Sequence, residues 1–227
     1  MKMRKISIIL CLLLSAALAV AVFKIVQTVT IQQKEKDDFE VLVKQVEIVK
    51  PDEEPDTEPT ETTPAPTQTG RNIRPVLEQN KECIGWLFID GTNINYPVMH
   101  TPDNPQKYLR KNFYGQYSQS GVPFLDGRCN LTDENLIVYG HNMKNGTMFS
   151  DLKKYLDTAF RNAHKEIEFE TADGVFLFEI TDVIKTDIRN EWYDKLNSED
   201  GRNLVLSTCY GSAKSGRLLI IAKEVKT

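Results

Sequence analysis

Eighteen consecutive uncharged residues, Ile6 to Phe23, stand between the basic group Lys2, Arg4 and Lys5 and the single Lys24. A helix rises about 1.5 Å per residue, so the run spans roughly 27 Å, close to the bilayer core of about 30 Å. No other feature restricts the chain as strongly. Such a run belongs in a membrane or is removed during export. Basic residues ahead of it keep residues 1–5 in the cytoplasm and send the remainder outside the cell. Ala17, Ala19 and Ala21 offer an Ala-x-Ala cleavage site, as a signal peptide would. The apolar continuation through Ile25 and Val26 suits an uncleaved anchor, and a signal anchor over residues 6–26 is the preferred reading. Cys11 lies inside this run, without the context of a lipoprotein cleavage site, and reads as an inert membrane thiol.

Charge divides the chain further. Residues 1–34 carry five basic groups and no acid, whereas residues 35–70 carry three basic groups and eleven acids. Residues 71–227 carry 20 basic groups and 21 acids, a nearly neutral body that lacks the basic face of a nucleic-acid binder. Residues 27–70 read as an extracellular linker, acidic and rich in Pro, Thr and Glu at 51–70. That stretch holds five Pro and six acids but no base and no aromatic residue. It buries too little apolar surface to fold, and Pro with like charge keeps it extended. Within the linker, residues 35–50 have the pattern of a short amphipathic helix.

The body, residues 71–227, reads as mainly β. Strand patterns occur at Ile84–Asp90 and Asn93–Met99, joined by a turn at Gly91-Thr92, then at Val122–Asp126 and Leu136–Tyr139. Ile167–Glu170 alternates apolar and acidic residues, as an exposed edge strand does. Val175–Ile184, Leu204–Ser207 and Leu218–Ala222 complete the set. Helical patterns occur at Arg74–Lys81, Pro105–Lys111 and Met148–Phe160, the last with Thr147 as N-cap. About eight strands with two or three peripheral helices predict a closed or nearly closed β-barrel.

Cys209 ends the apolar strand LVLSTC. A loop with two glycines follows, then Arg217 and a second apolar strand. Antiparallel pairing of these strands brings Cys209 and Arg217 to one end of the sheet. A guanidinium there favours the thiolate and offers donors to an oxyanion. A buried thiol beside a surface Arg is the plainer account. His141, in YGHNM, follows the strand NLIVYG and faces a cleft or packs on loop backbone. His100 and His164 are weaker candidates. Metal binding has little support: there is no CxxC and no HExxH, and the Glu166, Glu168, Glu170 run reads as a solvated edge. No Gly-rich phosphate loop occurs. Four cysteines are too few for a disulfide scaffold, and Cys83 and Cys129 read as two independent buried thiols, with a disulfide as the alternative.

The order His141 in YGHNM, Cys209 in LSTC and Arg217 in GRLLIIAKEV resembles the sortases, membrane-anchored cysteine transpeptidases of Gram-positive bacteria. The resemblance runs from about Gly85 to Val225. The stretches GWLFIDGTNINYPV, NFYGQYSQSGVPFLDGR and NLIVYGHNMKNGTMFSDLKKY are similar to class B members. One departure is that only about 20 residues, Ile184–Asn203, replace the long helical insertion usual before the Cys strand. The resemblance implies a sortase-type barrel in which Cys209 attacks a Thr carbonyl of a sorting signal, Arg217 holds the oxyanion and His141 moves the proton. It also implies substrate contacts at Tyr139, Ser207, Thr208, Asn104 and Leu109, and no cofactor or metal. The implied partners are surface proteins with a C-terminal sorting signal, a peptidoglycan peptide amine (lipid II or cell wall), and the membrane that holds the anchor. A pilus-polymerising sortase using a pilin Lys, a non-catalytic surface binding domain and a secreted cysteine protease are the alternatives.

Overall fold

The structure, a computed structural model, describes residues 2–47, 71–189, 201–213 and 215–225. It divides into two compact units, Met1–Glu40 and Val41–Thr227. The first is almost wholly one helix, α1, which runs Lys2–Val46 and so ends in the second unit. Within Leu12–Val46 lies an 18-residue window of mean hydropathy 2.1 that is nowhere buried. This is the one helix among the described residues long and apolar enough to cross a membrane. The helix does not stop at residue 26. Its 45 residues, at about 1.5 Å each, make it about 67 Å long, twice what a bilayer core requires. Residues 27–46, read from sequence as linker, are therefore helical. They contain no Gly or Pro, and the first Pro of the chain is Pro51. The acidic stretch 51–70 lies outside the described residues.

The second unit is a barrel of eight strands: β1 (Cys83–Phe88), β2 (Asn95–Met99), β3 (Phe124–Leu125), β4 (Asn135–Tyr139), β5 (Glu166–Thr171), β6 (Gly174–Asp187), β7 (Asn203–Cys209) and β8 (Gly216–Glu224). Each falls on an expected run. Their order around the closed barrel is β1-β2-β3-β4-β7-β8-β6-β5. Pairs β2–β3 and β4–β7 are parallel, and the others are antiparallel. Parallel neighbours need a long crossover, and the chain between β4 and β7 contains both β5 and β6. Six of the seven β7 residues are buried, as expected of a strand covered on both faces. The core draws on most strands, with Trp86, Leu87, Val98, Phe169, Phe178 and Leu206 each at most 1% exposed. Leu42 and Val46, from the end of α1, are fully buried in the same unit. There Gln79 Nε2 donates to Gln45 Oε1 at 2.7 Å and the Asn72 amide donates to the Val46 carbonyl at 2.9 Å.

Three expectations need correction. Ile167–Glu170 is not an edge: β5 pairs with both β1 and β6. A closed barrel has no free edge, and along β5 the acidic residues pass from exposed Glu166 through half-buried Glu168 to buried Glu170, so the last two need partners. Arg71 supplies them. Its Nη1 donates to Glu168 Oε2 at 2.7 Å, its amide donates to Glu170 Oε2 at 3.0 Å, and its guanidinium lies 3.9 Å from the Phe88 ring centroid. Glu170 is buried, and no group of His, Cys, Asp and Glu among the described residues could hold a metal. Second, the helix expected over Met148–Phe160 is two elements, a 3-10 turn at Phe149–Leu156 and α3 at Thr158–Ala163. Asp157 breaks the run, because its side chain accepts from the Ala159 and Phe160 amides as the N-cap of α3. Thr147 is not a cap, since its hydroxyl is spent on Asn145 Oδ1 at 2.7 Å. Third, the helix expected over Pro105–Lys111 shrinks to a 3-10 turn, Lys107–Leu109. The helix at Arg74–Lys81 survives as α2, Arg74–Gln79. The Gly91-Thr92 turn is present, with Gly91 at φ +72°. Most of the short connection between β6 and β7, residues 190–200, lies outside the described residues.

Candidate active site

The β7–β8 ladder ends on the pair Cys209 and Arg217, so the antiparallel register sets the two residues opposite one another at one end of the sheet. Cys209 is exposed, whereas the six β7 residues before it are buried. Cys209 thus stands where a packed strand reaches the surface. Arg217 pairs on its other side with Thr186 of β6, and its Nη1 donates to the Gly216 carbonyl at 2.9 Å. Gly216 leaves no room for a Cβ, which would collide with the Tyr210 carbonyl. The Tyr210 amide in turn donates to the Gly216 carbonyl at 3.0 Å, which closes the hairpin directly after Cys209.

His141 arrives on the neighbouring strand. β4 runs parallel to β7 with Tyr139 opposite Ser207. The pairing continues past the strand end: the Gly140 amide donates to the Ser207 carbonyl at 3.1 Å, and Thr208 Oγ1 donates to the Gly140 carbonyl at 2.7 Å. Asn142 Nδ2 then donates to the Cys209 carbonyl at 2.8 Å. Residues 140–142 are therefore fastened alongside residues 207–209, with His141 in the middle. Its own carbonyl accepts from the Phe149 amide at 2.9 Å. A Cβ on Gly140 would meet the Phe149 ring at 2.5 to 2.9 Å, so only Gly lets that ring close under the His141 segment.

The His141 ring is fixed by a second contact. Nε2 lies 3.0 Å from the Leu109 carbonyl. A carbonyl only accepts, so neutral His141 carries its proton on Nε2 and presents Nδ1 as the basic atom. Burial pushes the His141 pKa below the ordinary imidazole value, and the charge of Arg110 pushes the same way, while the Leu109 carbonyl opposes both. The ring is held in its uncharged form at neutral pH.

Of the other expected residues, Leu109 meets the site through its backbone. Ser207 and Thr208 are buried and tie β7 to Gly140 rather than facing outward. Tyr139 donates its hydroxyl to Asp126 Oδ2 at 2.9 Å and packs its ring on Phe124. Asn104 is exposed, and its backbone closes a turn with Thr101. His100 and His164 stand apart. The His100 amide donates to the Glu82 carbonyl, and His164 Nδ1 lies 3.2 Å from Asp90 Oδ2. Cys83 and Cys129 are both free and buried, and burial pushes the Cys83 thiol up to about 12. Asn142 was missed from sequence. Its signal was the parallel adjacency of YGHN and LSTC, which propensity alone does not reveal.

A family model for the sortase domain matches residues 87–225. The chain belongs to the sortase family. Its relatives place this sortase in class B. It is 40% identical over 116 residues to a Listeria monocytogenes sortase B, a match spanning 50% of this chain and 47% of that protein. It is 26% identical over 259 aligned positions to Staphylococcus aureus sortase B, spanning 100% and 99% of the two chains. A crystal structure of Clostridium perfringens sortase B superposes with a TM-score of 0.60 at 31% identity, covering 67% of this chain and 99% of that one. A Staphylococcus aureus sortase B–substrate complex superposes with a TM-score of 0.61 at 27% identity, covering 69% and 85%.

Proposed function

We propose that this sortase is a membrane-anchored cysteine transpeptidase that cleaves a sorting signal after Thr and passes the surface protein to a peptidoglycan peptide amine. The pairing of Cys209 with Arg217, beside a strapped-in His141, carries this reading. Cys209 gives its thiol proton to Nδ1 of neutral His141, and Sγ attacks the Thr carbonyl carbon. The oxyanion formed draws donors from the Arg217 guanidinium, since the amide after the nucleophile is already taken by Gly216. His141 gives a proton to the departing amine, and a thioester on Cys209 remains. The acceptor amine attacks that thioester, His141 takes its proton, and the thiolate leaves and recovers that proton from His141. Splitting the exchange into two acyl transfers lowers each barrier. Tyr139, Asn104 and Leu109 are read as the substrate side of the site, and Ser207 and Thr208 as supports beneath Cys209. Helix α1 supplies the anchor, with the barrel outside the cell.

The full chain in detergent micelles, mixed with NPxTN- and LPxTG-type peptides, tests this reading. Mass spectrometry follows cleavage with and without oligoglycine, diaminopimelate-type amines and a Lys peptide. An amine-dependent ligation product that vanishes in Cys209→Ala supports it, and the preferred amine separates wall anchoring from pilin polymerisation. Peptide binding without turnover in either form would mark a non-catalytic surface domain.

A further inference from the structure

We propose that Tyr108 is a positioning residue for His141: its buried phenol, anchored on Glu82 and Asn80, fixes the Leu109 carbonyl that orients the imidazole. The inference rests on His141 as the acid–base group. The 3-10 turn Lys107–Leu109 is three residues long, too short to hold a carbonyl in place by its own hydrogen bonds. Something outside the turn must do so. Tyr108 is 1% exposed, and its hydroxyl donates to Glu82 Oε2 at 2.5 Å while accepting from Asn80 Nδ2 at 3.0 Å. Asn80 Nδ2 also reaches the Phe113 carbonyl at 2.6 Å, so the anchor is itself tied down.

The backbone is gripped from the other side. The Tyr108 carbonyl accepts from the Val122 amide at 3.1 Å. Gly121 has φ +63°, and a Cβ there would lie 2.5 Å from the Tyr108 oxygen and 2.8 Å from the Leu109 oxygen. The Leu109 carbonyl is thus set between a side-chain anchor and a glycine backstop, 3.0 Å from His141 Nε2. Lys107 also binds both Glu82 oxygens at 2.6 Å. That ion pair is about a third exposed on each side and contributes little. The buried phenol carries the weight, because a lost partner inside costs more than one at the surface.

The Leu109 carbonyl favours the imidazolium, whereas burial and Arg110 oppose it. Arg110 is the charged group acting on the ring from the Leu109 side, and Cys209 and Arg217 stand on the neighbouring strand ends. Removing the grip on Leu109 lowers the His141 pKa further. The test uses the full chain in detergent micelles, with ring-labelled histidine followed by NMR. There are three histidines, so His100→Gln and His164→Gln assign the signals. Tyr108→Phe is expected to lower the His141 pKa by about half a unit or more, and to cut kcat about tenfold with KM within about twofold. Glu82→Gln still accepts from the phenol and is expected to stay near the unaltered protein. Gly121→Ala, which displaces the Leu109 oxygen, repeats the Tyr108→Phe loss and serves if that variant does not fold. An unchanged His141 titration and kcat in Tyr108→Phe and Gly121→Ala, with only the melting temperature lowered, would overturn the proposal. If His141→Ala retains full transpeptidation, the acid–base reading falls instead.

Discussion

Cys209 and Arg217 are register partners at the last step of the β7–β8 ladder. The positions of the two residues are therefore set by two paired strand backbones and not by flexible loops. Precise placement on strands suits a group that must meet an oxyanion only as it forms.

Replacement of Arg217 tests that placement. Arg217→Ala is expected to lower kcat by about 10² to 10³, the scale of losing an oxyanion donor. Arg217→Lys recovers little, because an ammonium is a point charge without the planar fork. Steady-state ligation assays check both, and a Lys variant within about threefold of the parent would assign the guanidinium to substrate attraction alone.

Asn142 holds the Cys209 carbonyl at 2.8 Å. Asn142→Ala is expected to cost about 1 kcal/mol of stability and several-fold in kcat. Asn142→Asp should be worse, since a carboxylate turned toward a carbonyl repels it. Urea unfolding and single-turnover acylation separate the two effects.

The pH dependence follows from His141. Burial lowers its pKa, so the imidazole stays neutral down to pH values below the usual figure of about 6.5. The acid limb of kcat/KM is expected below that value. Arg110 disfavours the imidazolium, so Arg110→Gln moves the limb upward. An acid limb above about 7 in the parent protein would contradict this, with the apparent values belonging to the His–Cys pair and not to one residue.

Glu170 offers a stability test away from the chemistry. Burial raises its pKa and Glu168 adds to that, although Arg71 opposes both. A carboxyl with a higher pKa folded than unfolded stabilises below its unfolded value and costs stability as pH rises through the folded one. Glu170→Gln can still accept from the Arg71 amide. It is expected to gain up to about 1 kcal/mol at pH 7 and nothing near pH 4. Arg71→Ala should lose stability, because it strips Glu168 of its guanidinium donor, removes the positive charge beside Glu170 and uncovers Phe88, although the residue-71 amide still donates to Glu170. Thermal melts across that pH range decide.

Much of the barrel was legible in the sequence because strand runs such as Leu204–Ser207 and Leu218–Ala222 are continuously apolar and bounded by turn residues. The pairing of Cys209 with Arg217 follows from antiparallel pairing of the two apolar strands that flank the loop between them. What stayed hidden is what closure imposes. Ile167–Glu170 alternates like an edge, yet β5 lies between β1 and β6, and the residue that pairs with Glu168, Arg71, lies 97 positions away from it. The contact between the Leu109 carbonyl and His141 was equally silent, because a backbone oxygen leaves no side-chain signature. Asp157 was read as part of a helix, although an Asp followed by Thr158 and Ala159 suits an N-cap just as well.

The thioester on Cys209 is the central claim, and rapid-quench intact-mass measurement tests it most directly. The full chain is mixed with the peptide it turns over, quenched in acid within milliseconds to seconds, and digested to locate any adduct. An acyl group is expected on the peptide containing Cys209, formed before product, discharged by added amine and absent in Cys209→Ala. Ligated product accumulating without that adduct, or arising from Cys209→Ala, would contradict the account.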